Sequence, residues 1–369
     1  MTMGSEPVSE RPQTSTRDYD QLRDRLEAWV GGRVPGATVS ELVVPESNGM
    51  SSETVLFDLS TPGTATRRLV ARIAPDPGAD PVFPVYDMAR QFETMRMVAR
   101  HTRVPVPEVL WLEEGDEAIG VPFFVMERVD GVVPPDVLPY TFGDNWFFDA
   151  APEDQHRLER EAVRVLAALH EIPAEGPAAF LAPTGGSGDP LRDHVDGQRR
   201  YYEWVARDGV RSPLIERGFD WIDEHWPAGS EGATFNWGDA RIGNMLFRDF
   251  TPVAVLDWEM ASIGPREIDL GWMVYLHRFF QDLVEDLGMP GMPHVFTREM
   301  VMRLYEEASG HSPQDLEFFC TYAALRHGIV MFRITRRAIR FGEAVMPADP
   351  DEAILHHAHL RRMLDGRYW

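Results

Sequence analysis

The chain has 369 residues, 44% of them apolar and 26% charged, proportions that exclude a chain disordered throughout. With 59 acidic against 36 basic residues the formal net charge is −23, which argues against a nucleic-acid partner, because a phosphate backbone demands a basic surface. No run approaches the ~18 consecutive apolar residues of a membrane span, and the N-terminus carries no hydrophobic segment, so no membrane partner and no secretory signal are expected.

Two further features narrow the chemistry. Cys320 is the single cysteine, so an internal disulfide and a thiolate zinc cluster are excluded. A reducing, cytoplasmic location fits. The chain contains no lysine, so every basic residue is arginine. That removes the lysine-dependent phosphate loop G-x-x-x-x-G-K-[ST], Schiff-base chemistry and a lysine-bound pyridoxal site.

In chain order, residues 1–16 are rich in Ser, Thr, Pro and Glu and are expected to form a disordered tail. Leu22, Leu26, Trp29 and Val30 at helical spacing predict a helix over 18–34. The period then changes, and 38–44, 53–59 and 68–74 read as three strands joined by turns at 45–50 and 60–63. After a Pro-rich loop a helix covers 87–101. Strands near 109–113 and 121–129 complete a β-rich N-lobe of 17–130.

Residues 131–139 form a Pro-rich joint to a mostly helical C-lobe of 131–369. Helices are expected over 152–171, 193–207 and 214–225. A hairpin over 244–258 interrupts, and helices resume over 268–286, 297–309, 313–342 and 351–364. The fold class is therefore α+β and bilobal, with a small β-rich lobe joined to a larger helical one.

The informative segment is Phe235-Asn236-Trp237-Gly238-Asp239-Ala240-Arg241-Ile242-Gly243-Asn244, continuing through the hairpin to Leu256-Asp257-Trp258-Glu259. A hairpin of this length returns Asp257 to the end where Asn244 sits. An amide oxygen beside a carboxylate suits Mg²⁺, a hard cation that wants oxygen ligands. Asp239 precedes Asn244 across a loop and can face the same cleft as a proton acceptor.

This segment resembles the catalytic and metal-binding loops of the aminoglycoside phosphotransferase-like family, which has a protein-kinase-like fold. W-G-D-A-R-I-G-N and L-D-W-E match its pattern in all but one position, where Trp237 replaces the usual histidine. The branch that looks most similar contains actinobacterial and acyl-CoA-dehydrogenase-associated members. The resemblance implies ATP and Mg²⁺ as cofactors, with Asp239 catalytic and Asn244 and Asp257 holding the metal. It places the turn 47–52, with the Ser51 and Ser52 hydroxyls, over the phosphates. Arg72 in Leu69-Val70-Ala71-Arg72 stands where a phosphate-pairing lysine is usual, keeping the charge with different geometry. Two registers compete for the helix residue that braces Arg72, Gln91 and Glu93; Glu93, the carboxylate of the two, is the expected brace. Backbone groups near Glu127 and Val129 are implied to meet the adenine. His170 and Asp269 are expected to be structural, Asp269 bracing the catalytic loop.

The implied partner is a small-molecule hydroxyl acceptor. The acidic balance suits a cationic, aminoglycoside-like one. A stripe of Arg326, Arg333, Arg337 and Arg340 on the 313–342 helix, if it faces the cleft, suits an anionic, hydroxyacyl-CoA-like one. The rival class is a non-catalytic nucleotide-binding module, drawing on Trp237, the single-glycine turn and Arg72.

Overall fold

The computed structural model describes residues 17–45, 52–228 and 232–369; the expected tail and most of the 47–52 turn lie outside them. Asp18 starts the first helix, α1 (Tyr19–Gly31), its carboxylate accepting the Asp20 and Gln21 N–H groups. Leu22, Leu26 and Val30 form the buried stripe of α1. Trp29 extends that contact, its ring 4.6 Å from Phe123 and its indole N–H donating to Glu113 at 2.6 Å.

Five strands follow: β1 (Thr38–Val39), β2 (Glu53–Ser60), β3 (Arg67–Ile73), β4 (Val109–Glu113) and β5 (Phe123–Glu127), in the antiparallel order β1-β2-β3-β5-β4. The expected strand 38–44 is cut short because the Ser40 hydroxyl, not its carbonyl, accepts the Asp58 N–H. Only Val43 returns to the ladder, as an isolated bridge to Leu56. Helix α2 (Met88–His101), capped by Asp87, crosses the sheet between β3 and β4. Register sets Arg72 opposite Thr54 on one side and Phe124 on the other, so its side chain shares a face with Thr54.

The helical lobe contains α3 (Pro152–Leu169), α4 (Pro190–Val205), α5 (Pro213–Glu224), α6 (Glu267–Asp286), α7 (Arg298–Ser309), α8 (Leu316–Arg340) and α9 (His357–Leu364). Four short strands lie among them: β6 (Thr234–Asn236), β7 (Met245–Arg248), β8 (Thr251–Val255) and β9 (Ser262–Gly264). Strands β7 and β8 make the expected hairpin. The β6–β9 pair was not legible, since three residues a side show no alternation. Helix α9 starts later than expected because Asp351 turns back to cap α5. Its carboxylate accepts from the Ser212 hydroxyl at 2.6 Å and the Leu214 N–H at 3.1 Å. Among the described residues no helix is long and apolar enough to cross a membrane.

Candidate active site

The β6 strand delivers the chain into a tight crossing at Gly238, whose φ is +92° and where a Cβ would sit 2.0 Å from the Met260 carbonyl oxygen. Only glycine fits there. The buried Asp269 carboxylate in the first turn of α6 holds this crossing, accepting the Trp237 N–H at 2.7 Å and the Gly238 N–H at 2.8 Å. His170 Nε2 lies 3.3 Å from the same carboxylate and Nδ1 lies 2.8 Å from the Tyr305 hydroxyl. A carboxylate only accepts, so Nε2 carries the proton and Nδ1 takes the Tyr305 O–H. Asp269 therefore braces the loop and His170 braces Asp269.

The next residue, Asp239, meets three donors. Trp272 Nε1–H donates to Oδ1 at 2.7 Å. Asn244 Nδ2–H and Arg241 Nε–H donate to Oδ2 at 2.6 and 3.2 Å. A short 3-10 turn, Ile242–Asn244, orients the Asn244 amide, so its nitrogen is engaged with Asp239 and its oxygen is left for a cation.

Asp257 follows β8 with φ +59°, a left-handed conformation unusual for a residue with a side chain. The indole of Trp237, fully buried, holds this bend by donating to the Leu256 and Asp257 carbonyls at 3.0 and 3.1 Å. Trp237, the residue that departs from the pattern noted above, thus ties the Gly238 loop to the end of β8. Arg72 completes the group, with Nη1 donating to Thr54 Oγ1 at 2.8 Å and Nη2 lying 3.5 Å from Asp257 Oδ1. Burial pushes the Asp257 carboxyl up, Arg72 pulls it back and Asp239 adds to the rise. Burial works against the Arg241 charge, but Asp239 and Asp136 outweigh it and hold the guanidinium above its usual value.

A cavity of about 480 Å³ collects Thr54, Arg72, Gln91, Glu127, Val129, Arg241, Asn244 and Asp257 on its walls. The expectation for Glu93 is corrected. It lies at the surface, paired with Arg96 at 2.8 Å, while buried Gln91 faces the cavity. Residues two apart on a helix point about 200° apart, so only one of them can look at the sheet. Ser51 lies outside the described residues. Ser52 is buried with its hydroxyl unpartnered, and it is not on the cavity wall; Thr54 takes the place facing Arg72. The Glu127 side chain pairs with Arg67, Nε at 2.9 Å. The Glu127 and Arg128 N–H groups go to the Glu108 and Arg68 carbonyls, so these two N–H groups are already engaged, and Val129 lines the cavity beside them.

The arginine stripe of α8 is also corrected. Arg333 meets Asp80 Oδ1 at 2.7 Å and the Pro81 carbonyl at 2.7 Å. Arg340 reaches Asp80 Oδ1 at 3.0 Å, and Arg337 the Ala79 carbonyl at 3.3 Å. These three pin the loop before α2 onto α8 and do not form an anion site. Arg326 lines a cavity of about 530 Å³.

Residues not singled out from sequence for these roles are Thr54, Asp136, Arg241 and Trp272. Arg241 lay inside the informative loop, and its position there was the available signal. Nothing local marked Trp272 as a partner of Asp239.

A five-stranded sheet lobe joined to a larger helical lobe, with Asp239, Asn244 and Asp257 gathered at one hairpin end, is the bilobal architecture of the kinase-like fold. The chain belongs to the phosphotransferase enzyme family, whose family model matches residues 43–292. Among curated proteins it is 29% identical over 232 residues to the Arabidopsis thaliana probable acyl-CoA dehydrogenase IBR3, covering 61% of this chain and 27% of that protein. It is 26% identical over 342 residues to mouse acyl-CoA dehydrogenase family member 10, covering 89% of this chain and 29% of that protein. The chain thus spans less than a third of the length of these relatives. Two solved structures share the fold. One is a Ralstonia eutropha protein described as a candidate aminoglycoside phosphotransferase, with TM-score 0.65, 24% identity, and 94% and 97% of the two chains covered. The other is aminoglycoside phosphotransferase APH(4)-Ia with ADP and hygromycin B, with TM-score 0.54, 18% identity, and 92% and 98% covered.

Proposed function

We propose that this protein transfers the γ-phosphoryl group of ATP, with Mg²⁺, to a hydroxyl of a small molecule. The observation that carries this is the meeting of Asp239, Asn244, Asp257 and Arg72 at one hairpin end, where Asn244, Asp257 and Arg72 line a single cavity. Residues 17–130 would bind the nucleotide, and 131–369 would supply the acceptor site and the catalytic loop.

The donor set fits Mg²⁺. Among the described residues no cluster of three or more His, Cys, Asp and Glu side chains is placed to hold a metal. An amide oxygen and one carboxylate suit a cation that keeps phosphate and water oxygens for its other positions. Asn244 and Asp257 would hold it, and it would supply charge neutralisation at the β- and γ-phosphates.

Asp239 exchanges one of its donors for the acceptor hydroxyl and takes its proton. The acceptor oxygen then bonds to the γ-phosphorus as the bond from phosphorus to the bridging oxygen breaks, leaving the electron pair on the departing ADP. Arg72 and Arg241 flank the cavity as fixed cations, so catalysis comes from positioning and charge neutralisation. The acceptor is a small-molecule hydroxyl, either cationic and aminoglycoside-like or anionic and hydroxyacyl-CoA-like, and Arg333, Arg337 and Arg340, bound to the loop before α2, leave its charge to be set elsewhere. A cytoplasmic location is proposed on the lone, fully buried Cys320.

The test is thermal stabilisation by ATP with and without Mg²⁺, followed by a product screen over hydroxylated acceptors. Mg²⁺-dependent stabilisation and one phosphorylated product are expected. Stabilisation by ATP that ignores Mg²⁺, with no product from any acceptor, would leave a nucleotide-binding module instead.

A further inference from the structure

Two buried arginines of α8 differ in one respect. Arg333 has a carboxylate partner in Asp80. Arg326 is 1% exposed and has no ion pair among the described residues. Its Nη2 donates to the Gly238 carbonyl at 3.1 Å, while Nε and Nη1 are buried with no hydrogen-bond partner. The guanidinium lies over the Trp272 ring, 4.4 Å from its centroid. Asp239 and Asp269 act on it only through space. A buried charge with two unmade donors is costly to keep, and a ligand that satisfies them removes the cost.

Arg326 lines a second cavity, of about 530 Å³, which touches the nucleotide cavity at Gln91, a residue on both walls. Ser262, on β9, lines the same cavity, and its hydroxyl is likewise buried without a partner. His194 lines it too, its Nδ1 engaged with the Tyr322 hydroxyl at 2.6 Å. The rest of the wall mixes Phe83, Tyr86 and Tyr201 with the carboxylates Asp87, Asp193 and Glu259 and with Arg90 and Arg200; Asp87 caps α2, Asp193 accepts the Ser187 N–H, and Arg90 donates to the Leu181 and Ala261 carbonyls. Trp272 joins this cavity to the chemistry, since the ring that carries Arg326 also donates to Asp239.

We propose that this second cavity is the acceptor site and that it takes a hydroxycarboxylate with an apolar body, its carboxylate held by Arg326 and Ser262 and its hydroxyl presented to Asp239. This rests on the phosphotransferase reading above. A carboxylate supplies the acceptor lone pairs that the Arg326 fork and the Ser262 hydroxyl lack. An ammonium group at the Arg326 and Ser262 end would face the guanidinium and two unmade hydrogen bonds it cannot accept; an amino alcohol would have to turn its ammonium to Asp87, Asp193 or Glu259 instead.

The experiment uses the full chain with Mg·ATP and three matched series: hydroxyalkanoic acids, their methyl esters, and amino alcohols of equal length. Thermal shift and ADP release are read for wild type, Arg326→Gln and Ser262→Ala. The acids should stabilise the wild type and be phosphorylated, with KM at least tenfold below the esters and amino alcohols. Arg326→Gln should raise the acid KM tenfold or more, erase the acid-over-ester preference and leave the ATP KM within twofold. Ser262→Ala should raise the acid KM a few-fold, which keeps the test open should Arg326→Gln misfold. A preference for amino alcohols overturns the proposal, as does an Arg326→Gln variant whose losses fall equally on ATP and acid. No acid-induced shift in the wild type also overturns it, while intact Mg·ATP stabilisation would leave the phosphotransferase reading standing.

Discussion

The two sides of Asp239 are built differently. On the side proposed for the nucleotide the charged groups already have partners: Arg72 with Thr54 and Asp257, Arg241 with Asp239 and Asp136, and Glu127 with Arg67. On the second side Arg326 and Ser262 hold buried polar atoms with none. The first side is preorganised, and its electrostatics cost nothing to arrange when a polyphosphate arrives. On the second, Arg326 Nε and Nη1 and Ser262 Oγ leave hydrogen bonds unmade, which the proposed acceptor carboxylate would satisfy. A site of the first kind serves any reaction that uses the same phosphoryl donor. A site of the second kind is where selectivity for one acceptor arises, since a ligand that leaves those groups unpaired is rejected.

The largest effect should come from the residue between the two sides. Asp239→Asn should lower turnover by about 10²-fold or more while leaving nucleotide affinity within a few-fold. Equal losses in both would merge the two sides into one. Next, Asp257→Ala should abolish the Mg²⁺-dependent part of ATP stabilisation in a thermal shift, since it removes the carboxylate of the proposed metal pair. Unchanged Mg·ATP affinity would take Asp257 out of the nucleotide side.

Acid should act on the helical lobe before the sheet. Burial lowers His356 to about 4 and His277 to about 3. The unfolded chain binds those protons near the ordinary histidine value of about 6.5, so it holds more protons than the native state in between. Stability from this source is full above that value. It falls on acidification by roughly 1.4 kcal/mol per pH unit per histidine, down to each folded value. Hydrogen exchange at pH 7 and pH 5 should show α6, α8 and α9 opening more readily at pH 5 while β2, β3 and β5 keep their protection. Equal loss in both lobes would break the contrast.

Arg326→Met sharpens the comparison through stability. Replacing a buried, unpaired charge by a side chain of similar length should hold or raise the melting temperature, a gain on the order of 1 kcal/mol, while acceptor binding is lost. A large fall in melting temperature would show that Arg326 is needed for packing. The smallest effect belongs to Glu93→Gln, which should leave the ATP KM within twofold, because its partner is surface Arg96. A tenfold rise would return Glu93 to the nucleotide side.

Much of this protein was legible before any coordinate. Helix α2 lies within a residue of the expected 87–101 and β4 matches 109–113, because capping residues and period are local properties of the chain. The loop and hairpin that carry Asp239, Asn244 and Asp257 were legible for the same reason, since they lie in one continuous segment whose β7–β8 pairing the sequence marks. The absence of lysine also decided from composition that any phosphate-pairing cation here must be arginine.

What tertiary structure decided is which face of each helix meets which neighbour. Gln91 rather than Glu93 faces the sheet because of the rotation of α2, which no short-range signal encodes. The arginines of α8 form a regular stripe in sequence, yet Arg333, Arg337 and Arg340 meet a loop some 250 residues earlier, and Arg326 meets Trp272 and the Gly238 carbonyl. Periodicity places side chains on one line of a helix. Whether that line finds a carboxylate, a carbonyl or a cavity depends on long-range packing, and here that packing left one arginine of the stripe, Arg326, without an ion pair among the described residues, on a cavity wall and stacked over the Trp272 ring that donates to Asp239.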